Sequence, residues 1–125
     1  MEEKLIQIFK ALSDETRLRI INLLNKDDLC VCELEIILEL SQSSTSRHLS
    51  KLTTAGLLRY YKSAKYVYYT INDEVVEKHS FIKQILNTET AQLEKCQKDN
   101  ERLANYKEKG YTCSDLKEGK VCFKT

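Results

Sequence analysis

Apolar residues recur at helical spacing from the beginning of the chain. The first set lies three or four positions apart: Leu5, Ile8, Phe9 and Leu12. This spacing predicts a helix from Glu3 to Leu12 with one apolar face. A second stripe continues to about Leu24, and Ser13 stands where a capping hydroxyl is expected, followed by acidic residues that suit the first turn. The pattern therefore predicts two successive helices, the second capped by Ser13.

A short helix is predicted from about Cys32 to Leu40, and a longer one from Gln42 to Ala55. Ser41 is expected to cap the longer helix, and Gly56 to end it. Its inward face carries Thr45, Leu49 and Leu52. Its outward face carries residues at positions i, i+3, i+4 and i+7: Ser44, Arg47, His48 and Lys51. Cationic and hydroxyl side chains on one face are typical of a helix that reads base edges in the major groove.

Two runs rich in β-branched and aromatic residues follow, Leu57 to Tyr61 and Tyr66 to Ile71. They predict a β-hairpin whose tip, 62–65, carries Lys62 and Lys65. This is a basic wing beside the reading helix. The five tyrosines of the hairpin are expected to pack it, because no single-strand-binding pattern accompanies them.

Further helix is predicted after Asn72, with apolar residues three, four or seven positions apart, as in a seam between helices. These residues are Ile82, Leu86, Leu93, Cys96 and Leu103. Dimerisation is expected through this seam together with the first helix. The sequence thus predicts a mostly α chain with a β-hairpin wing: a winged helix-turn-helix and dimerisation domain over 1–108 and a cysteine-containing tail over 109–125.

The chain has 125 residues and a net charge of +1, which on its own does not suggest a nucleic-acid partner. Charge is segregated, however, because 41–72 contains no acidic residue and carries +5. Such a footprint favours DNA binding. No apolar run reaches the roughly 18 residues of a membrane span, so we expect no membrane partner and a cytoplasmic protein.

Five cysteines in a reducing compartment favour metal or redox chemistry over a disulfide framework. Cys30 and Cys32 lie just before the predicted reading helix, and thiolates select soft, thiophilic ions. Residues i and i+2 of a helix point about 200° apart. If both cysteines lay within the short helix, one ion could bind both only by unwinding its first turn.

Four motifs together resemble the ArsR/SmtB family of winged-helix metal-sensing repressors. They are 11–20 (ALSDETRLRI), 29–34 (LCVCEL), 42–49 (QSSTSRHL) and 67–69 (VYY). The resemblance covers about 1–72 well and the remainder loosely. It implies a homodimer, joined through the first and last helices, that binds double-stranded operator DNA, represses transcription and leaves the DNA when a metal binds. We expect DNA contact from the predicted reading helix and the tip of the wing, through the following residues: Gln42, Ser43, Ser44, Thr45, Arg47, His48, Lys51, Lys62 and Lys65.

The pair formed by Cys30 and Cys32 resembles the arsenic-sensing branch, so As(III), or the related Sb(III), is the expected inducer. As(III) favours three thiolates, and Glu35 occupies the position of the third cysteine of the familiar arsenic motif. Cys113 is the first candidate for the third ligand, with Cys96 and Cys122 as alternatives. Cys96 lies on the helical stripe and is better explained as a buried structural cysteine.

Two other interpretations stay open. The same fold could sense Cd(II) or Pb(II), or thiol oxidation or persulfidation of a pair between Cys32 and the tail. The rival from another class is a small thiol oxidoreductase or arsenate reductase. It is disfavoured because the chain has no Cys-x-x-Cys motif near a βαβ pattern and no glycine-rich phosphate loop. We therefore expect no enzymatic activity and no catalytic cofactor.

Overall fold

The structure is a computed structural model that describes residues 2–112. Seven α-helices and three strands are arranged in the order α1 (Glu2–Leu12), α2 (Glu15–Lys26), β1 (Leu29–Cys30), α3 (Val31–Leu38), α4 (Gln42–Thr54), β2 (Leu58–Ser63), β3 (Tyr66–Ile71), α5 (Asp73–Lys78), α6 (Ser80–Gln84) and α7 (Glu94–Glu108). A π-helical turn (Ile85–Glu89) and a 3-10 turn (Thr90–Gln92) join α6 to α7. None of the helices within this part of the chain is long and apolar enough to cross a bilayer.

The helix caps follow the short polar residues of the sequence. Ser41 caps α4, and its hydroxyl accepts a hydrogen bond from the Ser44 amide at 3.1 Å, as predicted. The prediction for α2 was wrong by one residue. Asp14 is the cap and accepts from the Arg17 amide at 3.0 Å, whereas the Ser13 hydroxyl donates back to the Lys10 carbonyl. The Asp14 carboxylate also carries a negative charge, which the positive end of the helix dipole stabilises, whereas the Ser13 hydroxyl carries no charge.

The predicted hairpin is present, and it gains a strand that the sequence did not indicate. β2 and β3 pair antiparallel from Leu58 opposite Ile71 to Ser63 opposite Tyr66. A two-residue turn joins them, and Ala64 adopts the left-handed conformation there with φ 56°. β1 pairs with the other edge of β3, giving the strand order β1-β3-β2. The strand β1 ends at Cys30, so the first cysteine of the pair lies in the sheet.

The core lies where α2, α3 and α4 meet, and the C-terminal helices cover it. Its fully buried side chains include Ile20, Leu23, Leu34, Ile37, Leu49 and Leu52. Of the residues predicted to form a seam with a second copy, four are buried within the chain itself: Ile82, Leu86, Cys96 and Leu103. That part of the prediction was wrong, because the same helical period also fits packing against α2 and α3. Leu93 stays 38% exposed.

The inward face of α7 holds α2 and α3 through polar side chains. The buried Asp99 carboxylate accepts two hydrogen bonds from the Arg19 guanidinium, at 2.7 and 2.8 Å. Arg102 donates to the carbonyls of Ile36 and Ile37 at 2.8 and 2.7 Å, near the end of α3 where helix carbonyls lack partners within the helix. The C-terminal helix is therefore joined to the helix-turn-helix by charge-assisted bonds as well as apolar packing.

We expect Asp99→Ala to destabilise the fold by about 2–3 kcal/mol, because it leaves the partly buried Arg19 guanidinium without its carboxylate. Urea unfolding followed by circular dichroism measures this. Lys98→Ala is the matched control, since Lys98 pairs with Glu94 on the exposed face of the same helix and its loss is expected to cost less than about 0.5 kcal/mol. Equal losses in the two variants would show that the Arg19–Asp99 pair contributes no more than a surface pair.

Candidate nucleic-acid interface and cysteine pair

The outward face of α4 is the first half of the candidate DNA interface. Arg47 and Lys51 are exposed on it, as the sequence predicted, and Gln42 and Ser43 are exposed as well. Ser44 is half-buried, and its amide is held by the Ser41 cap. Arg47 reaches only the carbonyl of Ser43, at 3.4 Å, on its own helix. Its guanidinium therefore keeps donors that could meet a base edge or a phosphate.

Thr45 does not belong to this face. It is completely buried, and its hydroxyl donates to the Ser41 carbonyl at 2.8 Å. The prediction that Thr45 contacts DNA is corrected, because a buried hydroxyl that is already bonded offers no surface to a ligand. Its place on the inward stripe with Leu49 and Leu52 was the signal that should have excluded it.

His48 lies at the junction of α4 with α2, and its side chain is 20% exposed. Its Nδ1 is 3.2 Å from an Arg17 guanidinium nitrogen and 3.8 Å from the Asp14 carboxylate. Burial lowers the pKa of His48, the cations Arg17, Arg47 and Lys51 lower it further, and Asp14 opposes the shift. The imidazole is therefore biased towards its neutral form and is already in contact with α2. Contact with DNA remains a prediction for this residue.

The wing is the second half of the interface. Lys62 and Lys65 are exposed on it, and stacked or tilted tyrosine pairs cross its two strands with ring centroids 5.8 Å apart. The Tyr61 hydroxyl donates to Asp28 at 2.7 Å, and this bond raises the pKa of Tyr61 to about 12. Packing by the tyrosines was predicted. The hydrogen bond from Tyr61 to Asp28 was not predicted, because it joins residues 33 positions apart in the sequence.

The positive charge of 41–72 lies largely open to solvent. Of its five cations, Arg59 pairs with Glu74 at 3.0 Å. The other four (Arg47, Lys51, Lys62 and Lys65) are exposed and form no salt bridge with another described residue. These cations share α4 and the wing, the two elements expected to meet a duplex.

The cysteine pair begins α3. Cys30 is 2% exposed and is the N-cap of the helix, with extended backbone angles, whereas Cys32 is half-buried in the first turn. Cys30 thus precedes α3, which begins one residue before the predicted start at about Cys32, and the 200° divergence between positions i and i+2 of a helix does not apply to the pair. Cys30 is disulfide-bonded, and Cys32 is a free thiol. The alternative that paired Cys32 with the tail is corrected in this respect, because the bonded cysteine is Cys30.

A third sulfur ligand is not present near the pair among residues 2–112, where no group of three metal-binding side chains is found. Cys96 is fully buried, and burial raises the pKa of its thiol, which disfavours a thiolate ligand. It also lies ten residues along α7 from Tyr106, the residue that contacts the start of α3, so about 15 Å separates their backbones. Cys96 is thus excluded as a third ligand in this conformation. Cys113 and Cys122 lie outside the described residues, as does most of the predicted tail.

The position of α3 determines where α4 lies. α3 ends at Glu39, which is left-handed with φ 58°, and the Leu40 amide closes the helix by donating to the Glu35 carbonyl at 3.0 Å. Ser41 follows at once as the cap of α4. Only three residues, 39–41, separate α3 from α4, so a displacement of α3 is expected to move the basic helix as well.

Comparison with known proteins agrees with this architecture. The sequence profile described as bacterial regulatory protein, arsR family, matches residues 14–60. The solved structure of reduced HlyU from Vibrio cholerae is 36% identical, with a TM-score of 0.58, over 70% of this chain and 92% of that one. The chain belongs to the arsR family of bacterial regulatory proteins. Its fold is the winged helix-turn-helix.

Relatives in this family differ in the ion named for them. The chain is 46% identical over 71 residues to the arsenical resistance operon repressor of Escherichia coli, and 43% identical over 72 residues to a CadC homologue of Staphylococcus aureus, a cadmium resistance transcriptional regulatory protein. The matches cover 56 and 57% of this chain and 61 and 60% of those relatives. The chain thus spans less than two thirds of the length of either relative. The rest of this chain lies outside both matches.

We expect Asp14→Asn to lower the pKa of His48 further, because Asn keeps the α2 cap and removes the one charge that favours the imidazolium. Titration by NMR of the His48 ring protons measures this, with His79 as the internal reference. Because the pKa of His48 is lowered in the folded protein, the unfolded chain takes up a proton at this residue first as the pH falls. The free energy of unfolding is therefore highest above the ordinary histidine pKa of 6.5 and decreases below it. An unchanged or raised His48 pKa in the variant would contradict the arrangement described.

Proposed function

We propose that the protein is a transcriptional repressor that binds operator DNA through α4 and the wing and is released when Cys30 and Cys32 react with a thiophilic ion. The observation that carries this proposal is the place of Cys30. It caps α3, and α3 leads through Leu40 directly into the basic helix. A chemical change at the cysteine pair therefore acts on the element that positions the DNA-reading side chains.

Exposed positive charge supports the DNA-binding part. Phosphate contacts supply most of the affinity of such proteins, and side chains on a helix in the major groove supply sequence discrimination. Gln42, Ser43, Ser44, Arg47 and Lys51 would meet bases or phosphates, and Lys62 and Lys65 would meet the backbone beside them. His48 would contribute from the edge of this face.

The dimer is proposed to form through α1 and the C-terminal helices. Ile6 and Phe9 are about half exposed on α1, and the Phe9 ring stacks on Phe81 with centroids 4.8 Å apart. Leu93, at the start of α7, is also exposed. Large apolar side chains left open on neighbouring helices are typical of an interface with a second copy. A dimer would present two reading helices to an inverted-repeat operator.

As(III) is the proposed inducer, with Sb(III) as its chemical relative. Cys30 and Cys32 supply two soft donors, and Cys113 or Cys122 is proposed for the third. Cys30 must first be reduced, since a sulfur in a disulfide is not a thiolate ligand. The required coupling is modest, because allosteric coupling energies of about 1–3 kcal/mol change an affinity roughly 5- to 150-fold. The alternative inducers Cd(II) and Pb(II) would use the same two thiolates.

Thiol oxidation is the second candidate signal, favoured by the disulfide at Cys30. In this version an oxidant takes two electrons from Cys30 and a second thiol, and the disulfide formed is reversed by a thiol reductant. Cys32, as a free thiol, would not take part. The two candidates therefore differ in which cysteine is indispensable.

We expect Arg47→Ala to weaken operator binding by about 1–3 kcal/mol if the guanidinium reads a guanine. A mobility-shift titration of the reduced protein with its operator measures the loss. Lys98→Ala is the control, because Lys98 is exposed on α7 and pairs with Glu94 of the same helix, and the operator affinity of this variant should stay within about twofold of wild type. Unchanged affinity for the Arg47 variant would remove this residue from the reading set.

We expect Cys32→Ser to bind operator normally and to resist release by arsenite, while an oxidant such as diamide still releases it. Cys30→Ser should resist both. Mobility-shift assays under reducing conditions, with arsenite, cadmium or diamide added separately, measure these responses. Normal arsenite release of the Cys32 variant would place the sensor elsewhere. Failure of the wild type to retain any DNA would favour an enzyme over a repressor.

A further inference from the structure

Glu33 is a carboxylate buried inside the protein, 5% exposed, next to the cysteine pair. One of its oxygens accepts a hydrogen bond from the Cys30 amide at 3.0 Å. The other accepts from the Tyr106 hydroxyl at 2.5 Å, and Tyr106 is itself fully buried on α7. The two bonds form a bridge, Cys30–Glu33–Tyr106, from the backbone of the cysteine segment to the C-terminal helix.

The bridge is one of several attachments between α7 and α3. Asp99, Arg102 and Tyr106 lie three and four residues apart, so they share one face of α7. Asp99 orients Arg19, which donates to the Leu38 carbonyl at 3.3 Å. Arg102 holds the carbonyls of Ile36 and Ile37. The C-terminal end of α3 is therefore held by guanidinium groups, and its N-terminal end by the Tyr106 phenol through Glu33.

We propose that Glu33 and Tyr106 are positioning residues that fix the free-energy cost of displacing the Cys30 segment. This inference rests on the proposed function, because it names the residues that set how much effector the same sensor needs before it releases DNA. Cys30 is 2% exposed in its disulfide-bonded form, in which its amide stays bonded to Glu33. After reduction, binding of one ion by Cys30 and Cys32 together is the step that this proposal couples to a movement of the segment. Movement breaks the hydrogen bond from the Cys30 amide to Glu33. The Glu33 carboxylate then either becomes exposed or stays buried without one of its donors. The bridge opposes that movement.

Removal of the Tyr106 hydroxyl weakens the bridge without changing the shape of the core. In Tyr106→Phe one Glu33 oxygen is buried without its donor, which penalises the closed arrangement and not the open one. The open arrangement becomes more populated, and less effector is then needed to hold it open. DNA affinity without effector changes little as long as the closed arrangement still predominates.

The test measures hydrogen exchange of the Cys30 amide by NMR in reduced wild type and Tyr106→Phe. This amide is the donor of the bridge, so its exchange reports the opening directly. We expect exchange at least about fivefold faster in the variant, with the core amides of Ile20 and Leu49 changed less than twofold. In mobility-shift assays, the arsenite concentration for half release should fall by a similar factor, with effector-free affinity within about twofold.

Tyr111→Phe is the matched control, because the Tyr111 ring lies 6.1 Å from the Tyr106 ring and the substitution likewise removes one phenolic hydroxyl. It should change neither measurement. Unchanged exchange at Cys30 in Tyr106→Phe would overturn the proposal. Faster exchange with an unchanged arsenite threshold would overturn it too, leaving the bridge a purely structural bond. If arsenite fails to release wild type, the proposed inducer is refuted, and amide exchange alone still decides whether the bridge restrains Cys30.

Discussion

The hydrogen bonds between side chains of α7 and the two ends of α3 are the interaction on which the rest of the molecule depends. α3 has eight residues, too few to be stable as an isolated helix in water. Side chains complete both of its ends. At the first turn, Glu33 of α3 accepts from the Cys30 amide and from the Tyr106 hydroxyl of α7. At the last turn, Arg19 and Arg102 donate to its carbonyls. Because Ser41 follows α3 closely as the cap of α4, these contacts also fix the orientation of the basic helix.

The segregation of charge has a structural counterpart. Several of the acidic residues that balance the chain are paired with cations within the fold, as Asp99 is with Arg19 and Glu39 with Arg102. Among the cations of 41–72, Arg59 alone is paired with a described acidic residue, Glu74. A net charge of +1 thus coexists with a positive surface along α4 and the wing. Binding to a polyanion depends on that local field and not on the total.

Local signals in the sequence predicted most of the half of the fold that contains α4 and the wing. The α4 cap at Ser41, its exposed polar face and the tyrosine-rich hairpin are set by residues within one or two turns of each other. Features made by distant residues were missed. β1 has two residues and exists because β3 pairs with it, so no periodicity marks it. The seam residues Ile82, Leu86 and Leu103 showed the correct helical period, but a period does not say which surface covers it.

The cysteine pair shows the same limit. Spacing placed Cys30 and Cys32 together and indicated soft-ligand chemistry, yet it could not show that a strand ends at Cys30 and a helix begins directly after it. That boundary gives the two sulfurs different surroundings: Cys30 is buried and bonded, and Cys32 is half-buried and free. Two thiols two residues apart therefore do not react as an equivalent pair. The more exposed thiol is the one that a reagent meets first, whereas the buried one is tied through its backbone to α7. A single hydrogen bond contributes about 1 kcal/mol, comparable to a typical allosteric coupling. The bond between the Cys30 amide and Glu33 thus has about the energy that the proposed coupling between the cysteine segment and DNA binding requires.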